Sequence, residues 1–484
     1  MNYKMVGRII GLVLAIEIIF LIPPMILCFC DGDTGAGLAF VYTIGIGGLA
    51  AGALTLLCRS AKKGFYAREG LICVGLSWIA MSLLGCLPFC ISGSIPKFVD
   101  ALFEIASGFS TTGASILPEV ESLPRGILFW RSFSHWLGGM GVLVFLLAVV
   151  PISGRNDGFT MHLLRAESPG PNVGKLVPRM RRTATILYLL YIALTVLDFV
   201  FLRIGGMSTF ESICTAVGTA GTGGFGVKND SIASYSPYLQ NVCTVFMLLF
   251  GVNFSCYYLL LLKRVKDVLR DEELRIYILG ILGCVTALAI NVRGYYGSLR
   301  ETLRYCFFTV ASLITTSGFA TTDFDLWPTF SKTILVGLML MGACAGSTGG
   351  GMKISRVLLL CKSAARNIRS VIHPTRVQTV RVNGQRVSET VLSNTNAYLS
   401  IYVIILIVST LVVSLDGFSF TTNLTAVISC VNNIGPGLEA VGPTCNFSGF
   451  SALSKLVLIF DMLAGRLEIF PILILFTTSA WKRQ

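Results

Sequence analysis

Four short stretches of this chain combine glycine with hydroxyl or amide side chains and carry no charge: Thr111-Thr112-Gly113, Gly221-Thr222-Gly223, Thr316-Ser317-Gly318 and Asn433-Ile434-Gly435. Alkali cations are held by oxygens, and a site that strips an ion of its water offers backbone carbonyls in exchange. Glycine permits backbone angles that turn successive carbonyls toward one axis, angles that a side chain resists. Thr111, Thr112, Thr222, Thr316 and Ser317 add hydroxyl oxygens that either face an ion or pin the loop from behind. With no carboxylate at the loop centres, the chemistry suits a dehydrated monovalent cation better than Ca²⁺. A single glycine loop reads as a turn; four in the same setting make that reading the weaker one.

The setting is a membrane. Hydrophobic residues make up 54% of the 484 positions and charged residues only 13%, about half the share that a water-facing surface needs. The apolar residues fall in blocks of about 20, the length that crosses a bilayer as helix. The first block, 9–30, lacks a small-x-small cleavage site and runs directly into a second, 36–57, so the two are expected to form a retained helical hairpin. Most of the 38 Lys and Arg lie in the termini and in the segments around 59–68, 155–182, 263–275 and 353–386. An even number of crossings between these clusters puts them all on one side, which the positive-inside rule makes the cytoplasm, with both termini. The charge is therefore topological, and nucleic-acid binding is not expected. The 15 cysteines sit mostly inside apolar blocks, with Cys28, Cys30 and Cys445 the ones near an oxidising face. His135, His162 and His373 are too far apart in sequence to suggest a metal site.

Between the basic segments one pattern recurs: an outer helix, a semi-polar segment, the glycine loop, and a second helix. The outer helices are expected at 70–88, 184–202, 274–290 and 397–415, and the second helices at 126–150, 238–262, 328–360 and 453–477. The semi-polar segments, 99–110, 208–220, 300–315 and 420–432, are too short to cross about 30 Å of hydrocarbon at about 1.5 Å per residue. Each must dip in and return, and its loop must be buried in protein or line a wet cavity. The expected fold is thus all-α: the hairpin (1–60) and four repeats (61–165, 166–268, 269–380, 381–484), giving ten spanning helices and four re-entrant half-helices around a central pore.

Two further features stand out. Gly346-Ser347-Thr348-Gly349-Gly350-Gly351-Met352-Lys353 lies within the second helix of the third repeat. It superficially matches a phosphate-binding loop, but Met352 stands where that motif needs lysine and no strand precedes it. Its glycines break the helix, facing either a cavity or a close helix contact. Arg466 is an intramembrane cation, functional or paired, with Asp461 and Glu468 nearby in sequence. Glu17 and Asp198 are expected at helix contacts, and His135, beside Trp136, at the membrane interface.

The repeats, each with one central glycine, resemble the Trk/Ktr/HKT superfamily of potassium transporters, and 100–151 resembles the first repeat of its TrkH branch. The resemblance extends over essentially the whole chain, and the extra hairpin favours TrkH over the shorter Ktr pore subunit. It implies a K⁺-selective filter at the four loops, since glycine occupies the first filter position (Gly113) as well as Gly223, Gly318 and Gly435. It also implies a gate formed by Gly346–Gly351 and Lys353, held by Arg466 facing the pore. A homodimer in the bacterial inner membrane and a cytosolic nucleotide-binding ring of the TrkA type, docking on basic loops such as 362–391, are implied as well. The function so implied is potassium uptake through a pore driven by membrane potential. The alternatives are a K⁺ symporter coupled to H⁺ or Na⁺ and the K⁺-binding subunit of an ATP-driven pump. No Ser/His, Glu/His or paired-Asp arrangement suggests an enzyme.

Overall fold

The computed structural model describes residues 2–59, 66–139, 141, 180–375 and 378–482. The far end of the expected helix 126–150, the basic residues between 142 and 179, and His162 lie outside the described residues.

The hairpin is α1 (Tyr3–Cys30) and α2 (Thr34–Leu57). The first repeat follows as α3 (Ala67–Gly85), half-helix α4 (Phe98–Phe109) and α5 (Arg125–Gly139). The second is α6 (Met180–Ile204), half-helix α7 (Thr209–Gly221), α8 (Pro237–Phe250) and α9 (Phe254–Leu261). The third is α10 (Glu272–Asn291), half-helix α11 (Leu299–Ile314), α12 (Thr329–Met341) and α13 (Ile354–Ile372). The fourth is α14 (Glu389–Val413), half-helix α15 (Phe420–Asn432), α16 (Ala452–Arg466) and a short α17 (Phe470–Leu473). The half-helices fall within one residue of their expected bounds. Three of them start on a serine whose hydroxyl accepts an N–H of the first turn: Ser208, Ser298 and Ser419.

Six described helices are long and apolar enough to cross a membrane: the two of the hairpin and the first helix of each repeat. The second helices differ from expectation. Those of the second and fourth repeats are not continuous. The second turns by 87° between Phe250 and Phe254, and the fourth stops at Arg466, where Glu468 and Ile469 take positive φ. The third breaks over 342–353, as its glycines suggest. The expected polar loop 362–391 is also largely ordered backbone. α13 runs to Ile372, a two-stranded hairpin pairs Arg381–Val382 with Gln385–Arg386, and α14 starts at Glu389.

Close helix packing in the first repeat depends on glycine. A Cβ on Gly138 of α5 would fall 1.8 Å from the Phe109 carbonyl oxygen at the end of α4, and one on Gly108 would fall 2.1 Å from Ser134 Oγ. Small residues let backbones approach where lipid supplies no hydrophobic drive for association. Glu17 is buried in α1, its Oε1 2.9 Å from where a Cβ on Gly85 would sit, and Asp198 is fully buried in α6. Cys28, expected near an oxidising face, is buried, whereas Cys30 and Cys445 are exposed. On the hairpin's loop, Arg125 Nε donates to Asp31 at 2.7 Å, and this guanidinium holds the Asp31 carboxyl below its usual range.

Gly138→Ala is expected to lower the unfolding temperature of the purified protein, by about 1–3 kcal/mol of strain. Gly45→Ala, in α2 with nothing within 4 Å of the added carbon, is expected to leave it unchanged or raise it.

Candidate ion-binding site

Each half-helix ends the same way. The first residue past α7 and α15, and the second past α4 and α11, takes the left-handed conformation: Thr222 (φ 55), Asn433 (φ 56), Thr111 (φ 59) and Thr316 (φ 57). Its N–H donates to the carbonyl three residues back, and the next N–H donates to the carbonyl five back. These second bonds are Thr112 to Ser107 at 2.9 Å, Gly223 to Gly218 at 2.9 Å, Ser317 to Ser312 at 2.8 Å and Ile434 to Ser429 at 2.9 Å. That pair of bonds is the Schellman motif, normally closed by glycine. A β-branched threonine held left-handed costs about 1–3 kcal/mol and persists only where the surroundings over-determine it.

This repeated geometry fixes the register of the four loops and corrects one of them. Thr111-Thr112-Gly113 aligns with Thr316-Ser317-Gly318 and Asn433-Ile434-Gly435 as expected, but its counterpart in the second repeat is Thr222-Gly223-Gly224. Gly221 is the last residue of α7, and the equivalent of Gly113 is Gly224, not Gly223. The signal was present in the sequence, because threonine opens three of the loops once the second is moved by one residue.

The loops close into a ring through their glycines. A Cβ on Gly113 would lie 2.6 Å from the Gly224 nitrogen, one on Gly224 would lie 2.7 Å from the Ser317 oxygen, and one on Gly318 would lie 2.1 Å from the Ile434 oxygen. One on Gly435 would lie 2.8 Å from the Thr112 oxygen, which returns to the first loop. Gly113, Gly224, Gly318 and Gly435 together line one cavity of about 130 Å³, with Arg131, Lys228, Ser231 and Pro436 among its walls. Thr112 Oγ1 bonds Ser110 Oγ at 2.7 Å and Ser317 Oγ bonds Thr315 Oγ1 at 2.8 Å, so these hydroxyls pin their loops from behind. Asn433 Nδ2 reaches across to Thr112 Oγ1 at 3.1 Å, joining the fourth loop to the first.

Beside the cavity lies an ion pair that the sequence reading missed. Glu104 of α4, fully buried, accepts from Arg131 Nε at 2.6 Å, Ser115 Oγ at 2.9 Å and the Ile116 N–H at 2.9 Å. Arg131 also donates to the Gly226 carbonyl at 3.0 Å, so one pair holds the exits of the first and second loops. The two residues are 27 apart in sequence, and nothing in their local pattern signals the contact.

Segment 342–353 packs against the other side of the ring. The Gly350 N–H donates to Thr316 Oγ1 at 2.6 Å, and a Cβ on Gly350 would meet the Asn432 oxygen at 2.6 Å. Thr348, fully buried, donates through its hydroxyl to the Phe250 carbonyl at 3.2 Å. Arg466 donates to the Thr348 carbonyl at 2.7 Å and to the Gly139 carbonyl at 2.6 Å, with Gly138 O also accepting. Phe250, Thr348 and Arg466 lie at the interruptions of the second helices of the second, third and fourth repeats, and Gly139 is the last residue of α5, so these bonds tie elements of all four repeats together. Of the two carboxylates near Arg466 in sequence, Glu468 pairs with Arg356 and Asp461 accepts from Ser409 at 2.7 Å. Lys353 donates to the Gly349 carbonyl, Ser347 Oγ bonds Cys344 O at 2.6 Å, and the Gly346 carbonyl accepts from the Phe254 N–H at 3.0 Å. Glu273, at the start of α10, accepts from the N–H groups of Ala345 at 2.7 Å and Ser355 at 3.1 Å, bracketing the break.

The expectation for His135 is overturned. It is fully buried, wedged between α4 and the second loop, and not at an interface.

Short helices ending in loops closed into a ring, interrupted helices knotted against them, and six described helices long and apolar enough to cross a membrane define a multi-pass helical membrane protein. The TrkH family model, described as a cation transport protein, matches residues 38–482, and the chain belongs to this family. The Trk system potassium uptake protein TrkH of Escherichia coli K12 is 36% identical over 100% of both chains, and TrkG of the same strain is 31% identical over 99% of each. The crystal structure of the potassium transporter TrkH from Vibrio parahaemolyticus superposes with a TM-score of 0.89 at 31% identity, covering 100% of both chains.

Glu104→Ala leaves the Arg131 guanidinium buried without its carboxylate and is expected to cost about 3–5 kcal/mol, read as a lower unfolding temperature. Glu121→Ala, which removes an exposed bond to the Asn229 N–H, is expected to shift it little.

Proposed function

We propose that this chain is the pore subunit of a potassium uptake system, carrying K⁺ through a carbonyl-lined filter, driven by membrane potential and opened by a gate below the filter. The observation that carries this is the ring of four left-handed loop entries, each held by two helix carbonyl bonds, with its glycines lining one cavity. The half-helices end at the loops, so their carbonyl ends favour a cation there. In this reading the filter residues are Thr111-Thr112-Gly113, Thr222-Gly223-Gly224, Thr316-Ser317-Gly318 and Asn433-Ile434-Gly435. K⁺ is the transported ion and no organic cofactor is required.

The gate comprises Gly346–Gly351, Lys353 and Arg466. Arg466 places a full positive charge among carbonyls below the filter, where it repels a cation, at about 4 kcal/mol for a separation near 4 Å and an effective dielectric near 20. Opening therefore means moving Arg466 and 346–351 off the path. The protein lies in the bacterial plasma membrane with both termini cytoplasmic, and is organised as the hairpin 1–60 and repeats 61–165, 166–268, 269–380 and 381–484. It works as a homodimer with a cytosolic nucleotide-binding ring of the TrkA type, for which α13 and the 381–386 hairpin offer basic surface.

Uptake of ⁸⁶Rb⁺ into liposomes holding only this chain tests the reading. Selective uptake whose reversal potential follows K⁺ alone supports a pore, and a reversal potential that moves with a Na⁺ or pH gradient overturns passive transport in favour of symport. Gly113→Ser and Gly224→Ser are each expected to raise Na⁺ permeability relative to K⁺ by about tenfold, roughly 1.4 kcal/mol of lost discrimination. Unchanged ratios in both variants would exclude these loops as the filter. Arg466→Ala, or removal of 346–351, is expected to raise basal flux; if neither leaks more than wild type, the gate is elsewhere.

A further inference from the structure

The four loops are not alike at their second position. Three carry side chains there, Thr112, Ser317 and Ile434, and the second loop carries Gly223. Backbone geometry does not demand that glycine, because Gly223 is not among the positive-φ residues, and neither are its three counterparts. What excludes a side chain is His135. A Cβ on Gly223 would fall 2.3 Å from its Nδ1, 2.4 Å from Cγ and 2.5 Å from Cε1. The imidazole, contributed by α5 of the first repeat, fills the space where the other loops place a side chain of their own.

It also makes the bonds that hold the loop. Nδ1 lies 2.8 Å from the Gly108 carbonyl oxygen, and the Phe225 N–H lies 3.3 Å from Nε2. A carbonyl only accepts and a backbone N–H only donates, so the proton sits on Nδ1, Nε2 is a bare acceptor, and the ring is neutral. The Phe225 ring packs between the imidazole, with centroids 4.3 Å apart, and the Arg131 guanidinium, 3.6 Å from its centroid. Arg131 and His135, one helical turn apart on α5, thus hold the second loop at Phe225 and Gly226.

We propose that His135 is a specificity-determining positioning residue: it stands in for the missing second-position side chain of the second loop and fixes that loop against the half-helix of the first repeat. The inference rests on the reading of the four loops as a filter. It makes Gly223 and His135 an exchangeable pair, in which either a side chain on the loop or an imidazole from α5 can occupy the space, but not both.

The test uses the full-length protein and two readouts, the unfolding temperature in detergent and the K⁺ over Na⁺ permeability ratio in liposomes. Gly223→Ser alone is expected to lower both. His135→Ala alone is expected to keep the fold and lower the ratio roughly fivefold, the equivalent of one hydrogen bond of about 1 kcal/mol. His135→Gln, whose Oε1 can accept from the Phe225 N–H, is expected to retain more selectivity than His135→Ala. The combined Gly223→Ser/His135→Ala variant, which gives the second loop the serine that the third loop carries, is expected to exceed Gly223→Ser in unfolding temperature and both single variants in selectivity. Gly223→Ser unfolding at the wild-type temperature, or a combined variant no better than Gly223→Ser, would overturn the exchange. If Gly113→Ser shifts the permeability ratio and His135→Ala does not, the filter reading stands and the role given to His135 falls. If none of Gly113→Ser, Gly224→Ser and His135→Ala shifts it, the filter reading itself falls.

Discussion

Peptide groups released from a helix at membrane depth have no water to turn to, so each must be bonded within the protein or face a wet cavity. This chain releases them at the ends of its four half-helices and, among the described residues, at the interruptions of the second helices of the second, third and fourth repeats. At the half-helix ends the two-bond exit motif returns the first two N–H groups to the helix, at the cost of a left-handed threonine or asparagine. In the proposed filter, that leaves the carbonyls of the following residues free to face the ring. The strain and the carbonyl ring are consequences of one geometry, repeated four times.

At the helix interruptions carbonyls are freed as well and need donors from elsewhere in the protein. Arg466 supplies several at once, taking Gly138, Gly139 and Thr348, while the Thr348 hydroxyl takes Phe250. One guanidinium, contributed by the fourth repeat, and one threonine thereby satisfy carbonyls from the other three repeats. A cation is suited to the task because its forked donors match several acceptors in fixed directions. The same charge beneath the proposed filter makes this knot the natural place for a gate. To conduct, the protein must find other partners for those carbonyls, which a cavity filling with water would provide.

The parts of this arrangement that were legible in the sequence are those governed by length and local chemistry. Half-helices of 12 to 16 residues before a glycine, the hairpin, and the glycine run at 346–351 each carry their own signal. The register of the second loop was misread because Gly221-Thr222-Gly223-Gly224 offers two settings, and only the left-handed Thr222 distinguishes them. The breaks at Phe250 and Arg466 carry no clear sequence signal because apolar residues resume beyond both; at the first, the freed Phe250 carbonyl is met by Thr348 of the third repeat, 98 residues away. His135 suggested an interface because Trp136 adjoins it. Its place in the fold depends on Gly223, 88 residues away, lacking a side chain. Glu104 and Arg131 were invisible for the same reason.

In the proposed filter, four loops from four repeats form a single coordination site for K⁺. Diffraction from crystals grown in Rb⁺, with data at the rubidium absorption edge, addresses it without relying on flux. Anomalous peaks are expected on the axis enclosed by Gly113, Gly224, Gly318 and Gly435 and their preceding carbonyls, lost when Na⁺ replaces Rb⁺. Ordered Rb⁺ elsewhere in the protein, with no peak inside that ring, would contradict it.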